Sequence, residues 1–153
     1  LTLKQYDLAR ENKEKTFTLL YKNDYEKVQT VLGISQNSEK IINTQGMFNL
    51  DELKALISKL KLFISVDTGP IYIAEAFNIP TIDIVGPMEE KEQPPISNIH
   101  RVVVSKRDKP ALHIMTARMY DRKEARRQAE DITSDMVIAE IDTLLQELKI
   151  ITK

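Results

Sequence analysis

The sequence predicts an α/β protein built on a Rossmann-like, doubly wound parallel sheet of about five strands. One reason is that strand-like apolar runs alternate with helix-like segments along the chain. Another is that the run LFISV at 62–66 is apolar almost throughout, which is typical of a parallel strand buried on both faces. The chain has 153 residues, of which 42% are hydrophobic, and this is enough for one domain with its own core.

Each element is predicted from its local pattern and from residues that start or stop helices. Short β-rich or apolar runs predict strands at 16–21, 40–44, 62–66, 81–85 and 100–104. Apolar residues at helical spacing predict helices at 3–9, 23–34, 50–61, 71–78 and 134–149. Asn49 and Ser134 are predicted to be the N-caps of the helices at 50–61 and 134–149. The region 87–130, outside its one strand, is charged and poorly periodic, and is predicted to be the least regular part.

Composition excludes several classes of protein. The net charge is −1, with 22 basic against 23 acidic residues, which argues against a nucleic-acid partner. The absence of cysteine excludes disulfides and cysteine zinc sites, and His100 and His113 lack the spacing of a helical metal pair. No apolar run approaches the roughly 20 residues that span a bilayer, and the first residues contain no signal-peptide core. The sequence therefore predicts a cytoplasmic protein without a bound metal.

The main functional signal is the turn Asp67-Thr68-Gly69-Pro70 between a predicted strand and a predicted helix. Asp67 ends the strand, and ligands of open α/β sheets bind beyond the carboxyl ends of strands. Gly69 permits a sharp turn and a close approach of backbone to ligand, and Pro70 suits the first helical position. The free N–H groups of the helix terminus attract phosphate or pyrophosphate, and Thr68 adds a hydroxyl donor. Local chemistry equally allows that these residues only join the strand to the helix.

A strand that ends in Asp-Thr-Gly also occurs in aspartic proteases, where two carboxylates share a proton. That chemistry needs an all-β fold and a second Asp-Thr-Gly, or a homodimer that supplies it. Here a proline and a helix-like segment follow the triplet, and helices recur along the chain, so the protease interpretation is disfavoured.

The longer stretch LDELKALISKLKLFISVDTGPIYIAEAFNIPTIDIVGP, at 50–87, resembles the nucleotide-binding half of the family 9 glycosyltransferases, the ADP-heptose:lipopolysaccharide heptosyltransferases. In that family a helix of the type L-x-E-L-x-x-L-I precedes a strand and the motif D-[ST]-G-P-x-H-x-A. A small-residue helix, G-x-P and a strand ending in F-G-P then follow. The similarity runs almost continuously through 44–87 and extends more weakly to Glu26 and to the closing helix.

The resemblance implies the C-terminal, Rossmann-like half of a GT-B glycosyltransferase. Its donor would be a nucleotide diphosphate sugar, ADP-linked, which is a substrate, and neither a cofactor nor a metal is implied. The backbone of the turn and the helix terminus would hold the diphosphate, Glu26 would accept hydrogen bonds from ribose, and Met47 would lie near the base. Asp67 is interpreted as an anchor beneath the phosphates and not as a base. The predicted donor-binding residues are Asp67, Thr68, Gly69, Pro70, Tyr72, Glu26, Met47 and Gly86.

The sequence departs from the family pattern at three positions near the turn. Tyr72 stands where the family usually has His, and a phenol can donate a hydrogen bond but carries no positive charge. Glu75 replaces a small residue and gives a likeness to UDP-sugar 2-epimerases, in which the corresponding Glu binds ribose. Met88 replaces a common Thr. Two alternatives therefore remain open: an epimerase of the same fold, and a non-catalytic GT-B-like binding module.

The resemblance also implies that 1–153 is a single donor-binding domain, without the family's opening strand and without its N-terminal acceptor domain. The acceptor, lipopolysaccharide or another glycan, and the general base would belong to the missing half. No catalytic residue is therefore assigned, and the chain alone is expected to be inactive. Between 101 and 127 there are nine basic and three acidic residues. This segment is either a solvated surface or a peripheral contact with anionic lipid at the inner membrane.

Overall fold

The computed structural model shows a parallel α/β protein, and the predicted fold class is confirmed. The backbone forms two compact units, Leu1–Lys59 and Leu60–Lys153, and each is described by itself. The structure describes residues 16–18, 41–92, 97–112 and 121–149.

The first unit contains two strands and one helix among its described residues. Strand β1, Thr16–Thr18, runs parallel to strand β2, Ile41–Asn43, with Phe17 opposite Ile42. Both strands lie within the runs that predicted them, whereas the predicted helices at 3–9 and 23–34 lie outside the described residues. A turn follows β2, and its Gly46 has φ +67, in the left-handed region that glycine adopts without strain.

Helix α1, Leu50–Ile57, begins at the predicted cap. The Asn49 side chain accepts from the backbone N–H groups of Asp51 and Glu52, both at 3.0 Å. The Glu52 side chain reaches back to the Asn49 N–H at 2.9 Å, which completes a capping box. The helix ends at Ile57, four residues before the end of its predicted pattern.

Asn49→Ala is expected to lower the free energy of unfolding by about 1 kcal/mol, because two N–H groups of the first turn lose their acceptor. Urea unfolding followed by circular dichroism measures the change. Asn98→Ala, an Asn→Ala change at an exposed position outside any helix, is the matched control. An Asn49→Ala variant as stable as this control would contradict the prediction.

The second unit is a three-stranded parallel sheet with helices. The sheet order is β3-β4-β5, and each neighbouring pair is parallel. Strands β4 and β5 occupy the residues predicted for them. The elements are β3 Phe63–Val66, α2 Gly69–Ala76, β4 Thr81–Val85, a short 3₁₀-helix Glu90–Glu92, β5 His100–Val104, α3 Arg122–Glu130 and α4 Ser134–Glu147.

The two faces of this sheet carry different residues because side chains alternate along a strand. On one face, Ile82 of β4 and Val103 of β5 pack against Leu144 of α4 in a fully apolar core. On the other face, β4 and β5 present Asp83 and His100, both buried. The charge of Asp83 acts on Tyr72 of α2, so α2 lies on this second face.

Strand β3 was predicted to be buried on both faces, and this prediction is wrong. Phe63 is buried, but Ile64 and Val66 on the opposite face are 44% and 58% exposed. Among the described strands of this unit, β3 is an edge strand, and the strand buried on both faces is β4. An apolar run indicates a strand but not its position in the sheet.

Helix α3 is a second departure, because its region was predicted to be the least regular. Asp121 caps it by accepting from the N–H groups of Lys123 and Glu124 at 2.9 and 3.2 Å. Ion pairs within the helix, such as Arg126–Glu130 at 2.7 Å, stabilise a sequence that has no apolar stripe. The spacing of its charged residues, and not a hydrophobic periodicity, therefore indicates this helix in the sequence.

The predicted N-cap of α4 is wrong by one residue. Thr133 is the cap, since its hydroxyl accepts from the Met136 N–H at 3.3 Å, and Ser134 is the first helical residue. Both residue types cap helices well, so the sequence alone did not distinguish them.

Candidate functional site

The carboxyl ends of β3 and β4 lie at one edge of the sheet, because the two strands are parallel. The pairing continues one step beyond β3, where the Asp67 N–H donates to the Ile84 carbonyl at 3.4 Å. The Asp-Thr-Gly-Pro turn follows β3 at this edge, and Gly86 follows β4 there. The structure thus brings five of the predicted site residues to the same edge: Asp67, Thr68, Gly69, Pro70 and Gly86.

The N-terminus of α2 lacks the side-chain cap that the other described α-helices have. Thr68 is its N-cap residue, but its hydroxyl lies 3.2 Å from the Ser65 hydroxyl and makes no cap hydrogen bond. The first turn of α2 also contains no acidic residue, whereas α1, α3 and α4 each have at least one there. The positive end of the α2 dipole is therefore not balanced by a carboxylate in its own first turn, which favours an external anion.

Gly69 is the first residue of α2, so Pro70 occupies the second helical position and not the predicted first. The φ of Gly69 lies outside the left-handed region, and a Cβ added there would meet no described atom within 4 Å. The backbone conformation therefore does not require glycine at this position. What glycine provides is open space in front of the helix terminus, where a ligand can approach the backbone.

Three acidic groups lie close to this terminus: Asp67, Tyr72 and Asp83. Burial raises the pKa of Tyr72, and the charges of Asp67 and Asp83 raise it further, so the phenol stays neutral. Asp83 has no exposed surface, and neither carboxylate oxygen has a hydrogen-bond partner among the described residues. Burial, followed by the charge of Asp67, raises the pKa of Asp83 to about 7.

His100, at the start of β5, is only 1% exposed. Neither ring nitrogen has a hydrogen-bond partner within the described part of the chain. Burial lowers the pKa of His100, and the charge of Glu75 opposes this effect. His100 is therefore a packed, neutral side chain, and His113 lies outside the described residues. Among the described residues, no three His, Cys, Asp or Glu side chains are grouped to hold a metal ion.

The loop after β4 is held by Arg107, whose side chain is only 5% exposed. One guanidinium nitrogen donates to the Gly86 carbonyl at 2.7 Å and to Gln128 Oε1 at 3.0 Å. The other donates to the Met88 carbonyl at 2.6 Å and to Glu90 Oε2 at 2.5 Å. Burial tends to raise the pKa of Glu90, but its own backbone N–H and Arg107 hold that pKa below its ordinary value.

Gln128, on α3, connects this loop to the segment after β5. It is buried, and its Oε1 also accepts from the Ala111 N–H at 3.1 Å. Its Nε2 donates to the Lys109 carbonyl at 3.0 Å and to Glu124 at 2.8 Å. The position of Gly86 at the sheet edge is thus fixed from α3 through Arg107 and Gln128.

Two predicted donor contacts are not placed at this edge. Glu26 lies outside the described residues. Met47 belongs to the first compact unit, where it follows Gly46, is exposed and donates its N–H to the Thr44 carbonyl at 3.1 Å. Both residues remain predictions.

The sequence interpretation missed three residues that the structure shows to be central: Asp83, Arg107 and Gln128. For Asp83 a signal existed, since an acid in the middle of the apolar run TIDIV is unusual for a buried strand. Arg107 was counted only as one of the basic residues of 101–127, and no local pattern distinguishes it. Gln128 lies in the helix that was not predicted.

The parallel α/β sheet, with a helix terminus at its carboxyl edge, is the arrangement of Rossmann-like α/β domains. Residues 8–119 match the family model of glycosyltransferase family 9 (heptosyltransferase). This chain belongs to that family.

Relatives agree with this assignment. The chain is 31% identical over 121 residues to lipooligosaccharide heptosyltransferase 2 of Haemophilus ducreyi, covering 76% of this chain and 34% of the relative. The structure of E. coli ADP-heptose LPS heptosyltransferase II matches 95% of this chain with 42% of its own length, its C-terminal part, at TM-score 0.68 and 22% identity. A family 9 glycosyl transferase from Veillonella parvula matches 94% with 41% of its length, at TM-score 0.59 and 19% identity. At such identities the solved structures establish the fold alone.

The chain thus spans about a third of the length of the curated relative and about two fifths of the solved ones. None of the helices that the structure describes is both long and apolar enough to cross a bilayer.

Proposed function

We propose that this chain is the donor-binding part of a heptosyltransferase-like glycosyltransferase, which transfers a sugar from an ADP-linked nucleotide diphosphate sugar to lipopolysaccharide or another glycan. The observation that carries the proposal is the uncapped N-terminus of α2 at the carboxyl edge of the sheet, in a member of family 9. Such a terminus attracts the diphosphate through its N–H groups and its dipole.

Each residue of the turn has a role in this proposal. The Gly69 backbone faces the diphosphate, because no side chain fills the space in front of it. The hydroxyls of Thr68 and Tyr72 donate hydrogen bonds to phosphate oxygens, and Tyr72 does so as a neutral phenol. When the sugar is transferred, negative charge develops on the leaving nucleoside diphosphate, and the helix terminus stabilises it without a metal.

The remaining contacts come from the edges of this site and from other parts of the enzyme. Glu26 accepts from the ribose hydroxyls, Met47 lies against the base, and Gly86 borders the diphosphate. The acceptor and the general base belong to the part of the protein that pairs with this one. The proposal assigns no catalytic residue to this chain.

Isothermal titration of the 153-residue chain with ADP, UDP and GDP tests the proposal, with and without Mg²⁺. We expect ADP to bind most tightly, with the same dissociation constant in either condition. Failure of all three nucleotides to bind would overturn the donor-site proposal for this chain.

Gly69→Val is expected to weaken ADP binding at least tenfold, on the order of 1.4 kcal/mol, because the added side chain occupies the space that the diphosphate needs. Since a Cβ at Gly69 meets no described atom within 4 Å, the variant is expected to fold normally. Ser134→Val is the matched control, because it places the same side chain at the first position of the capped helix α4. Equal ADP affinity of the two variants would contradict the placement of the diphosphate.

Neither alternative function gains support from the site. A 2-epimerase would need further acidic and His side chains facing its substrate. Asp83 and His100 lie on the face beneath α2, but both are buried away from solvent. A non-catalytic module is distinguished by the same titration, because it would bind none of the nucleotides.

The basic segment favours a solvated surface over a lipid contact. Arg101 pairs with Glu147, Arg126 with Glu130, and Arg127 with Glu124 and Asp131, while Arg107 is buried. These ion pairs reduce the positive charge left to attract anionic lipid. Peripheral contact with the inner membrane is thus the less favoured proposal, and sedimentation with anionic vesicles can test it.

A further inference from the structure

We propose that Asp83 couples donor binding to protonation: the chain takes up a proton at this carboxylate when a diphosphate binds at the N-terminus of α2. The proposal rests on the proposed function, since it needs an anion at that terminus. Asp83 then influences the bound diphosphate through its charge and does not contact it.

The first argument is the burial of Asp83. It lies in the middle of β4, paired with Ser65 of β3 and Val102 of β5. Its side chain has no exposed surface, and neither oxygen has a hydrogen-bond partner among the described residues. An ionised carboxylate without water, cation or donor is strongly disfavoured, so the buried group favours its neutral, protonated form.

The second argument is the set of titratable groups around Asp83. From β3, Asp67 faces it two residues beyond Ser65, and its charge acts on Asp83. From α2 come Tyr72, which stays neutral, and Glu75, whose charge acts on His100. From β5 comes His100, buried and with a lowered pKa. The other two groups of this set, Asp67 and Glu75, are acids as well.

Few basic residues occur in the elements that surround Asp83. Strands β3 and β4 and helix α2 contain no Lys or Arg in their sequences. The only basic residue of β5 apart from His100 is Arg101, which pairs with Glu147 of α4 on the opposite face. These strands and this helix therefore bring no Lys or Arg side chain to the face of the sheet that carries Asp83.

A bound diphosphate adds negative charge near Asp67 and Tyr72, and this raises the proton affinity of Asp83 further. The coupling is reciprocal, so a protonated Asp83 strengthens anion binding. The pKa of Asp83 in the free chain is already about 7, so ionisation begins near neutral pH. Because the complex holds more protons than the free chain, binding weakens as the pH rises above about 7, by up to about tenfold per pH unit.

The test uses the full chain and ADP-glucose, whose two phosphates are esterified and stay ionised between about pH 6 and 9. Any pH dependence in that range therefore comes from the protein. Calorimetry at about pH 7.5 in two buffers of different ionisation enthalpy counts the protons taken up. We expect a substantial fraction of one proton for the wild type and none from this site for Asp83→Asn. Asp142→Asn, the same change at an exposed position of α4, is expected to behave like the wild type.

Carbon-13 NMR of the Asp83 carboxyl gives a second measurement that needs no variant. We expect its pKa to rise when ADP-glucose is added to the wild type. Binding without proton uptake, uptake that persists in Asp83→Asn, or an unchanged Asp83 pKa would each overturn this inference and leave donor binding intact. Absence of ADP-glucose binding at any pH would overturn both the inference and the proposed function.

Discussion

Asp83→Asn is expected to raise the free energy of unfolding at about pH 8 by roughly 2–4 kcal/mol, and to change it little at about pH 4. The pKa of Asp83 rises from the ordinary value of 3.8 to about 7 in the folded chain. Between these values the folded chain holds a proton that the unfolded chain has lost. The contribution of Asp83 to the free energy of unfolding is thus complete below its ordinary pKa of 3.8, and it is lost as the pH rises toward the folded-state pKa of about 7.

The upper limit of that loss is about 4 kcal/mol, at about 1.4 kcal/mol for each pH unit between the two values. Asparagine cannot ionise, so the variant keeps the stability that the wild type loses. Its buried amide lacks partners much as the protonated carboxyl does, which is why little change is expected at low pH. Urea unfolding between about pH 4 and 8 measures the effect.

Asp142→Asn provides the control, because Asp142 is exposed on α4 and its pH profile should follow that of the wild type. If Asp83→Asn lost stability with rising pH as steeply as the wild type, Asp83 would not carry the titration. That outcome would also remove the basis for proton-linked donor binding.

Much of the fold was predictable because local patterns determined it. The apolar runs TIDIV and HRVVV gave the bounds of β4 and β5, and Asn49 with Glu52 marked the start of α1. What local patterns did not show was the neighbourhood of each element. LFISV is apolar except for Ser65, yet β3 has one exposed face, since burial depends on what packs against the strand.

Helix α3 shows a different limit. The residues RKEARRQAE carry almost no apolar stripe, and only Ala125 and Gln128 are buried. The helix is stabilised by its Asp121 cap and by ion pairs three or four residues apart, so a search for hydrophobic period passes over it. The signal in its sequence is the spacing of opposite charges three or four residues apart.

The candidate site likewise has one part that local sequence predicts and another part that it does not. The turn Asp67–Pro70 lies within a few residues of chain, and its place at the carboxyl edge follows from the strand and helix that flank it. Arg107 reaches Gly86 across 21 residues of sequence, and Asp83 meets Asp67 only because β3 and β4 pair. Contacts of this kind appear only once the sheet is assembled.

Arg107→Met is expected to lower the free energy of unfolding by roughly 2–4 kcal/mol, because it removes the buried arginine of a hydrogen-bonded ion pair whose glutamate, Glu90, is 31% exposed. The guanidinium supplies donors to the carbonyls of Gly86 and Met88 and to the side chains of Gln128 and Glu90. Methionine fills a similar volume but donates to none of them, so all four acceptors lose a charged donor.

Arg107→Lys tests the positive charge of the side chain separately from the planar geometry of the guanidinium. A lysine keeps the positive charge for Glu90, but a single ammonium cannot reproduce the planar fork that reaches both backbone carbonyls. We expect it to recover part of the loss in urea unfolding. Faster amide hydrogen exchange around Gly86–Met88 should accompany both variants, because the loop after β4 loses its anchor.

Arg126→Met is the matched control, since Arg126 also pairs with a glutamate but is 79% exposed. Exposed pairs of this kind contribute little, so this variant should unfold close to the wild type. If Arg107→Met and Arg126→Met proved equally stable, the buried cluster would not hold the loop. The position of Gly86 at the carboxyl edge of the sheet would then depend on β4 alone, and the proposed donor site would not depend on α3.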